Sequence, residues 1–269
     1  MIKTILTVIL IIVASSSVSA QDRTSESISN DKKTIDNCRL VFGWDVVKPY
    51  QYLNASGEPE GFQIELIRSI VKEFNCKVEF RQLVWHRLLE QVKSGEVDFM
   101  ADTTVTEERA AFGLFSDSYR QETFSMYVRK EQYQEYHDKS LQEMFDMGFR
   151  LGVTSGYVYS DEIEALKRDL GYQKNFIYVD SNIENYPALL ASNIDGFMED
   201  SLIAGYELRN LRMSNDVVAL PNEVFRSDVS FMFSKKSVSP EIVEEFNQVL
   251  AKAKLSKAFQ QSWLIGINN

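Results

Sequence analysis

Basic residues are scarce relative to acidic ones: 29 Lys and Arg stand against 39 Asp and Glu, a net charge of −10. A surface of that sign argues against nucleic acid and against an anionic membrane face as partners. Cysteine is limited to Cys38 and Cys76 and histidine to His86 and His137, and their spacing fits no zinc site. Past residue 20, no apolar run approaches the ~18 residues of a membrane-spanning helix, so a soluble mature chain is expected. G-x-S-x-G, Walker A, H-E-x-x-H and EF-hand patterns are missing. No catalytic residue, metal or cofactor is therefore expected.

Residues 1–20 carry Lys3, an apolar run from Ile5 to Ala14 and a small-residue end at Val18-Ser19-Ala20. That is the pattern of a cleaved secretory signal peptide. Its removal leaves 28 basic against 39 acidic residues, a net −11. No Cys follows Ala20 to suggest a lipid anchor, which favours a Gram-negative periplasm. In such an oxidising compartment Cys38 and Cys76 either pair or stay as two free thiols; each precedes a strand, and parallel neighbours would bring the sulfurs to one edge. Residues 21–37 are polar and read as a disordered lead-in.

The periodicity then alternates. Arg39 to Gly43 reads as a strand, and Phe62, Leu66, Ile67, Ile70, Val71 and Phe74 form one helical face. Cys76 to Leu83 reads as a strand, His86 to Lys93 as a helix and Val97 to Ala101 as a third strand. This βαβαβ order predicts parallel strands with right-handed crossovers, and ligands in such sheets lie beyond the C-terminal strand ends. Those ends carry Trp44-Asp45, Trp85 and the segment Asp102 to Thr106. A second βαβαβ unit is read from strands at Phe149 to Val153, Phe176 to Val179 and Asp195 to Met198, with helices at Asp161 to Leu170 and Glu184 to Ser192. Its strand ends offer Thr154 to Tyr157 and Glu199-Asp200. Val229 to Ser234 reads as one more strand, followed by a helix from Pro240 and a closing helix around Ala258 to Leu264 with Trp263.

The segment Thr103-Thr104-Val105-Thr106-Glu107-Glu108-Arg109 joins a strand end to a helix start. Thr106 is the expected N-cap, with Glu107 and Glu108 in the first turn. Arg109 among hydroxyls and open N–H groups suits a carboxylate, because a guanidinium makes two parallel charge-assisted bonds.

Pro49-Tyr50, Asn54, Gly57, Gly61-Phe62 and Glu65 resemble the P-Y…G-F-D-x-D opening of the family 3 extracytoplasmic solute-binding proteins, the polar amino-acid receptors of ABC transporters. Trp85, Leu88, Leu89, Ser94-Gly95 and Asp98 resemble its next block. Thr106 to Arg109 and Phe115 to Tyr119 resemble T-x-e-R and F-S-x-P-Y, and Gly152-Val153 with Ser155-Gly156 the second-lobe turn. The resemblance covers roughly residues 40 to 265. It implies an α/β protein of type II periplasmic binding fold that closes on its ligand like a Venus flytrap. Each of its two lobes would be a mainly parallel sheet flanked by helices, joined by two hinge strands near Thr123 and Arg226. Lobe 1 would comprise residues 38–121 plus 228–269, and lobe 2 residues 122–227. Arg109 would clamp the ligand carboxylate with Thr104, Asp200 would take its ammonium, and Trp85 would wall the pocket opposite Trp44 or Asp45. Gly156, Tyr157, Glu199 and Asp102 complete the expected ligand-binding set. The partners implied are an amino-acid-class ligand and an ABC permease, bound by a monomer.

Two departures bear on the ligand. Asp102 stands where the family has Gly or Ser, placed to compete for Arg109. Tyr157 stands where Thr is common. Asp45, Asp102, Glu199 and Asp200 together suggest an acidic cleft and a basic ligand. Alternatives stay open: Trp85 as a core residue, Asp200 as a helix N-cap, a sensor for a separate receptor, or a cyclohexadienyl dehydratase-like enzyme using Glu199 or Asp102 as general acid.

Overall fold

The computed structural model describes residues 38–73, 76–257 and 259–260. The expected signal peptide and lead-in, Phe74, and most of the closing helix with Trp263 lie outside these residues. Strands β1 (Arg39–Trp44), β2 (Tyr52–Leu53) and β3 (Pro59–Glu60) lead into helix α1 (Phe62–Glu73), then β4 (Lys77–Gln82), α2 (Trp85–Ser94) and β5 (Phe99–Thr104). After α3 (Glu107–Ala110) and β6 (Gly113–Phe115) comes β7 (Arg120–Arg129). The next stretch holds α4 (Tyr133–Tyr136), α5 (Leu141–Asp146), β8 (Leu151–Thr154), α6 (Asp161–Arg168) and β9 (Phe176–Val179). Helix α7 (Asn185–Leu190), β10 (Gly196–Asp200), α8 (Ser201–Asn210), β11 (Val217–Ser234) and α9 (Pro240–Lys254) complete the order.

The main sheet runs β4-β1-β5-β11-β7-β10-β8-β9, with β6 also on β11. Strands β4, β1 and β5 are parallel, as are β10, β8 and β9. Between these groups β11 and β7 are antiparallel, with Arg226 opposite Thr123. Hydrophobic periodicity explains the two main cores. Leu40, Phe42 and Trp44 of β1 join Ile64, Ile67 and Ile70 of α1, Phe99 of β5, and Ile242, Phe246 and Leu250 of α9. On the other side of the crossing strands, Phe124, Met126 and Val128 of β7 meet Phe145, Phe149, Leu151 and Ile163. Two lobes thus form, each an α/β layer with its own core, tied by the β7–β11 pair. Cys38 and Cys76 are disulfide-bonded, with Cα atoms 4.7 Å apart, where β1 and β4 start side by side at Arg39 and Lys77.

Several boundaries differ from the sequence expectation. Strand β1 runs on to Trp44, so the period-two alternation carries the indole inward with Leu40 and Phe42, 1% exposed. Strand β5 continues through Asp102 and Thr103 to Thr104, because Asp102 takes a left-handed backbone (φ 53°) and the pairing with β11 shifts register between Ser230 and Met232. Helix α6 stops at Arg168 rather than Leu170, and α7 is preceded by a 3₁₀ turn at Asn182–Glu184.

Candidate functional site

Arg109 sits in the four-residue helix α3, whose N-cap Thr106 accepts a bond from the Arg109 amide at 3.2 Å. The side chain is 6% exposed. Its Nη1 donates to the Thr104 carbonyl at 3.0 Å and its Nη2 to the Gly156 carbonyl at 2.9 Å. The guanidinium carbon lies 5.8 Å from the Trp85 ring. Among the described residues, no carboxylate lies within 4.0 Å of it. Burial pushes its pKa down to about 10, only partly offset by Glu122 and Glu108. Trp85 opens α2, and its Nε1 donates to the same Gly156 carbonyl at 3.0 Å. The Tyr157 ring meets the Trp85 ring edge-on at 5.3 Å.

The facing wall is built on β7. Arg120, 5% exposed at its side chain, donates from Nε to Asp102 Oδ1 at 2.9 Å and from Nη2 to Glu122 Oε1 at 2.6 Å. Its Nη1 lies 3.5 Å from Asp200 Oδ2, and its guanidinium covers the Tyr50 ring at 4.6 Å. The Tyr119 hydroxyl donates to Asp102 Oδ1 at 2.6 Å. Burial disfavours the Arg120 charge, but the carboxylates of Asp102 and Glu122 outweigh it and hold its proton more tightly than usual. Burial pushes the Glu122 carboxyl up to about 8 against the pull of Arg120. Glu199 is also pushed up to about 8 by burial, although it accepts bonds from Asn182 Nδ2 at 2.8 Å and the Asp200 amide at 3.0 Å.

Most of these side chains line one cleft. Of the expected set, Arg109, Thr104, Trp85, Asp102, Tyr157 and Glu199 line it, and Gly156 reaches in through its carbonyl. Three do not line it. Trp44 is packed in the first core, for the strand-parity reason given above. Asp45, 6% exposed, accepts from the Val46 amide at 2.7 Å and the Trp85 amide at 3.1 Å, so it fixes the start of α2. Asp200 is the N-cap of α8: its Oδ1 accepts from Leu202 and Ile203 at 2.9 and 3.2 Å, and its Oδ2 from the Thr123 amide at 3.3 Å. Asp102 does not compete for Arg109, because it is bound to Arg120 and Tyr119 instead. The lining also contains Gln51, Arg120, Glu122 and Phe124, which sequence reasoning passed over. Their signal was present: Arg120 and Glu122 share the inward parity of β7 with Phe124 and Met126, and charge on that face marks a buried polar site.

Residues 40–265 match the model of the bacterial extracellular solute-binding proteins, family 3. A probable histidine-binding protein of Neisseria gonorrhoeae is 27% identical over 65% of this chain, an alignment that spans 63% of that relative. The ABC transporter glutamine-binding protein GlnH of Bacillus subtilis is 26% identical, with 92% of this chain and 88% of the relative covered. Among solved structures, an ancestral arginine-binding protein bound to arginine superposes with a TM-score of 0.73 at 22% identity, covering 86% of this chain and 98% of that one. The ancestral amino acid-binding protein AncCDT-1, a precursor of cyclohexadienyl dehydratase, gives 0.71 at 23% identity, with 87% and 99% covered. At that identity the structural likeness speaks for the fold, which is the two-lobed periplasmic binding protein fold. The match across most of its length identifies the chain as a member of the family 3 bacterial extracellular solute-binding proteins.

Proposed function

We propose that this protein captures an amino acid in the periplasm, after loss of residues 1–20, and hands it to an ABC permease. One observation carries the reading. Arg109 is a buried cation with two carbonyl partners and, among the described residues, no carboxylate in ion-pair range. Burying a charge without its counter-ion is costly, and a ligand carboxylate arriving in the cleft removes that cost. The relatives named as histidine- and glutamine-binding proteins point to the same ligand class. Asp200 is committed to its helix and hinge strand, so the ligand ammonium falls to the cleft-lining carboxyls of Asp102 and Glu122. Tyr157 and Trp85 supply the aromatic wall, with Thr104 beside the carboxylate.

We read the cleft as a receptor rather than an enzyme. The relatives whose names state a role are named as binding proteins, which supports the receptor reading. Titration calorimetry of the chain from Gln21 against the common amino acids tests the proposal. One or more should bind, and Arg109→Met should abolish binding. Failure of every amino acid to bind, or turnover of prephenate or arogenate, would refute it.

A further inference from the structure

We infer that Gln51 is a specificity-determining residue whose buried carboxamide oxygen receives an N–H of the ligand side chain. The cleft then selects amino acids whose side chain carries such a donor, in a carboxamide, guanidinium or ammonium. Side chains ending in a hydrocarbon, a thioether or a carboxylate are disfavoured. The inference rests on the amino-acid reading of Arg109.

Gln51 lines the cleft and is 3% exposed. Its main chain is occupied: the amide donates to the Val47 carbonyl at 2.9 Å, and the carbonyl accepts from the Val47 amide at 2.8 Å. Those bonds pin the loop between β1 and β2 and call for no particular side chain. The side-chain Oε1 is buried and, among the described residues, has no hydrogen-bond partner. The cationic donors of the cleft are directed elsewhere. Arg109 gives its nitrogens to the Thr104 and Gly156 carbonyls, and Arg120 to Asp102 and Glu122. An amide oxygen buried without a donor is costly, so this carboxamide adds nothing to the fold that an apolar side chain of its size would not. A donor arriving with the ligand removes that cost. The surroundings suit a side chain with an apolar stem. Val47 and Tyr50 of the β1–β2 loop cluster with Ile203 of α8. Val47 and Ile203 also line the cleft, so the stem is flanked from both lobes beside the amide. A hydrocarbon tip leaves Oε1 unpaired, and a carboxylate sets a second acceptor against it.

Titration calorimetry at pH 7 of the chain from Gln21 tests this. Glutamine, arginine and lysine carry side-chain N–H groups; norleucine, methionine and glutamate carry none. At least one of the first three should bind tenfold or more tighter than each of the others. Which of the three binds best assigns the donor to a carboxamide, a guanidinium or an ammonium. In Gln51→Met that advantage should shrink at least tenfold, with the donor-free ligands little changed. Gln51→Glu keeps an acceptor oxygen at similar reach and should retain a preference for the donor-bearing ligands. A parent protein that binds norleucine, methionine or glutamate as tightly overturns the inference but leaves the Arg109 reading intact, provided Arg109→Met abolishes that binding. An advantage unmoved in Gln51→Met, or lost in Gln51→Glu, overturns it too. So does an equal loss for every amino acid in Gln51→Met, because the amide then serves the α-ammonium they all share. No binding by any amino acid removes the reading beneath it and the inference with it.

Discussion

Replacing Arg109 by methionine separates two costs that are usually entangled. The substitution keeps an apolar stem near Trp85 and deletes the guanidinium. A bidentate contact to a ligand carboxylate is worth roughly 1.5–3 kcal/mol per bond. Its loss should weaken binding by about 3–5 kcal/mol, or on the order of 10²- to 10³-fold and more. The unliganded protein should respond differently. Burial depresses the Arg109 pKa to about 10, and pH 7 lies below both that value and the ordinary guanidinium value, so the full penalty for holding the charge is present there. At about 1.4 kcal/mol per unit, that penalty is about 3 kcal/mol. Against it stands the Thr104 carbonyl left without its donor, a loss of about 1–3 kcal/mol, whereas the Gly156 carbonyl keeps the Trp85 indole. Net stability should stay within about 1 kcal/mol of the parent or rise. Urea unfolding with and without saturating ligand measures both terms. A drop of more than about 2 kcal/mol in the unliganded protein would show that Arg109 is a structural tie rather than a waiting anion site.

Three further outcomes are expected. The Glu199 carboxyl is raised from 4.5 to about 8, so the native state holds a proton there that the unfolded chain has lost. Its destabilisation is absent below the unfolded value, grows as pH rises from there to about 8 and levels off at about 5 kcal/mol; Glu199→Gln should flatten that decline in denaturation curves at pH 5, 7 and 9, and an unchanged slope would refute it. The Cys38–Cys76 bond closes a loop with a sequence separation of 38, so Cys38→Ser/Cys76→Ser should cost up to about 4 kcal/mol, read as a lower unfolding midpoint that added reductant no longer shifts. Gly61 has φ 123°, and a methyl group there runs into the Tyr50 carbonyl; Gly61→Ala should cost about 2 kcal/mol or more, and a melting temperature equal to the parent's would contradict the strain argument.

The sequence carried the architecture well because alternation of strand and helix periods survives in short apolar runs such as Leu40-Val41-Phe42 and Ile64 to Val71. It carried the cation of the site too, because Thr106 marks a cap and Arg109 falls one turn inside it. The acidic wall was harder. Ending the first strand at Gly43 hid the parity that places Trp44 with Phe42, and Asp45 resembled a ligand group because its bond to the Trp85 amide spans 40 positions. Asp200 carried one of two readable roles, and the carboxylate geometry at Leu202 and Ile203 fits the helix cap. Arg120 and Glu122 were legible as period two on β7, but only to a reader who asks why charges share a face with Phe124 and Met126. Their common partner Asp102 enters from β5 and becomes visible only when the strands are folded together.

The β7 strand is a bar clamped at one station. At Thr123 the amide is gripped by Asp200 Oδ2, and the carbonyl by the Ser201 hydroxyl at 2.9 Å, so the start of α8 is fastened to the bar. The β7–β11 ladder is continuous from Arg120 to Thr123, where Arg120 and Glu122 project, and its register shifts fall beyond the clamp, between Phe124 and Tyr127. The charged groups of the cleft are thus mounted on the regular part of the crossing pair, next to the residue that anchors α8.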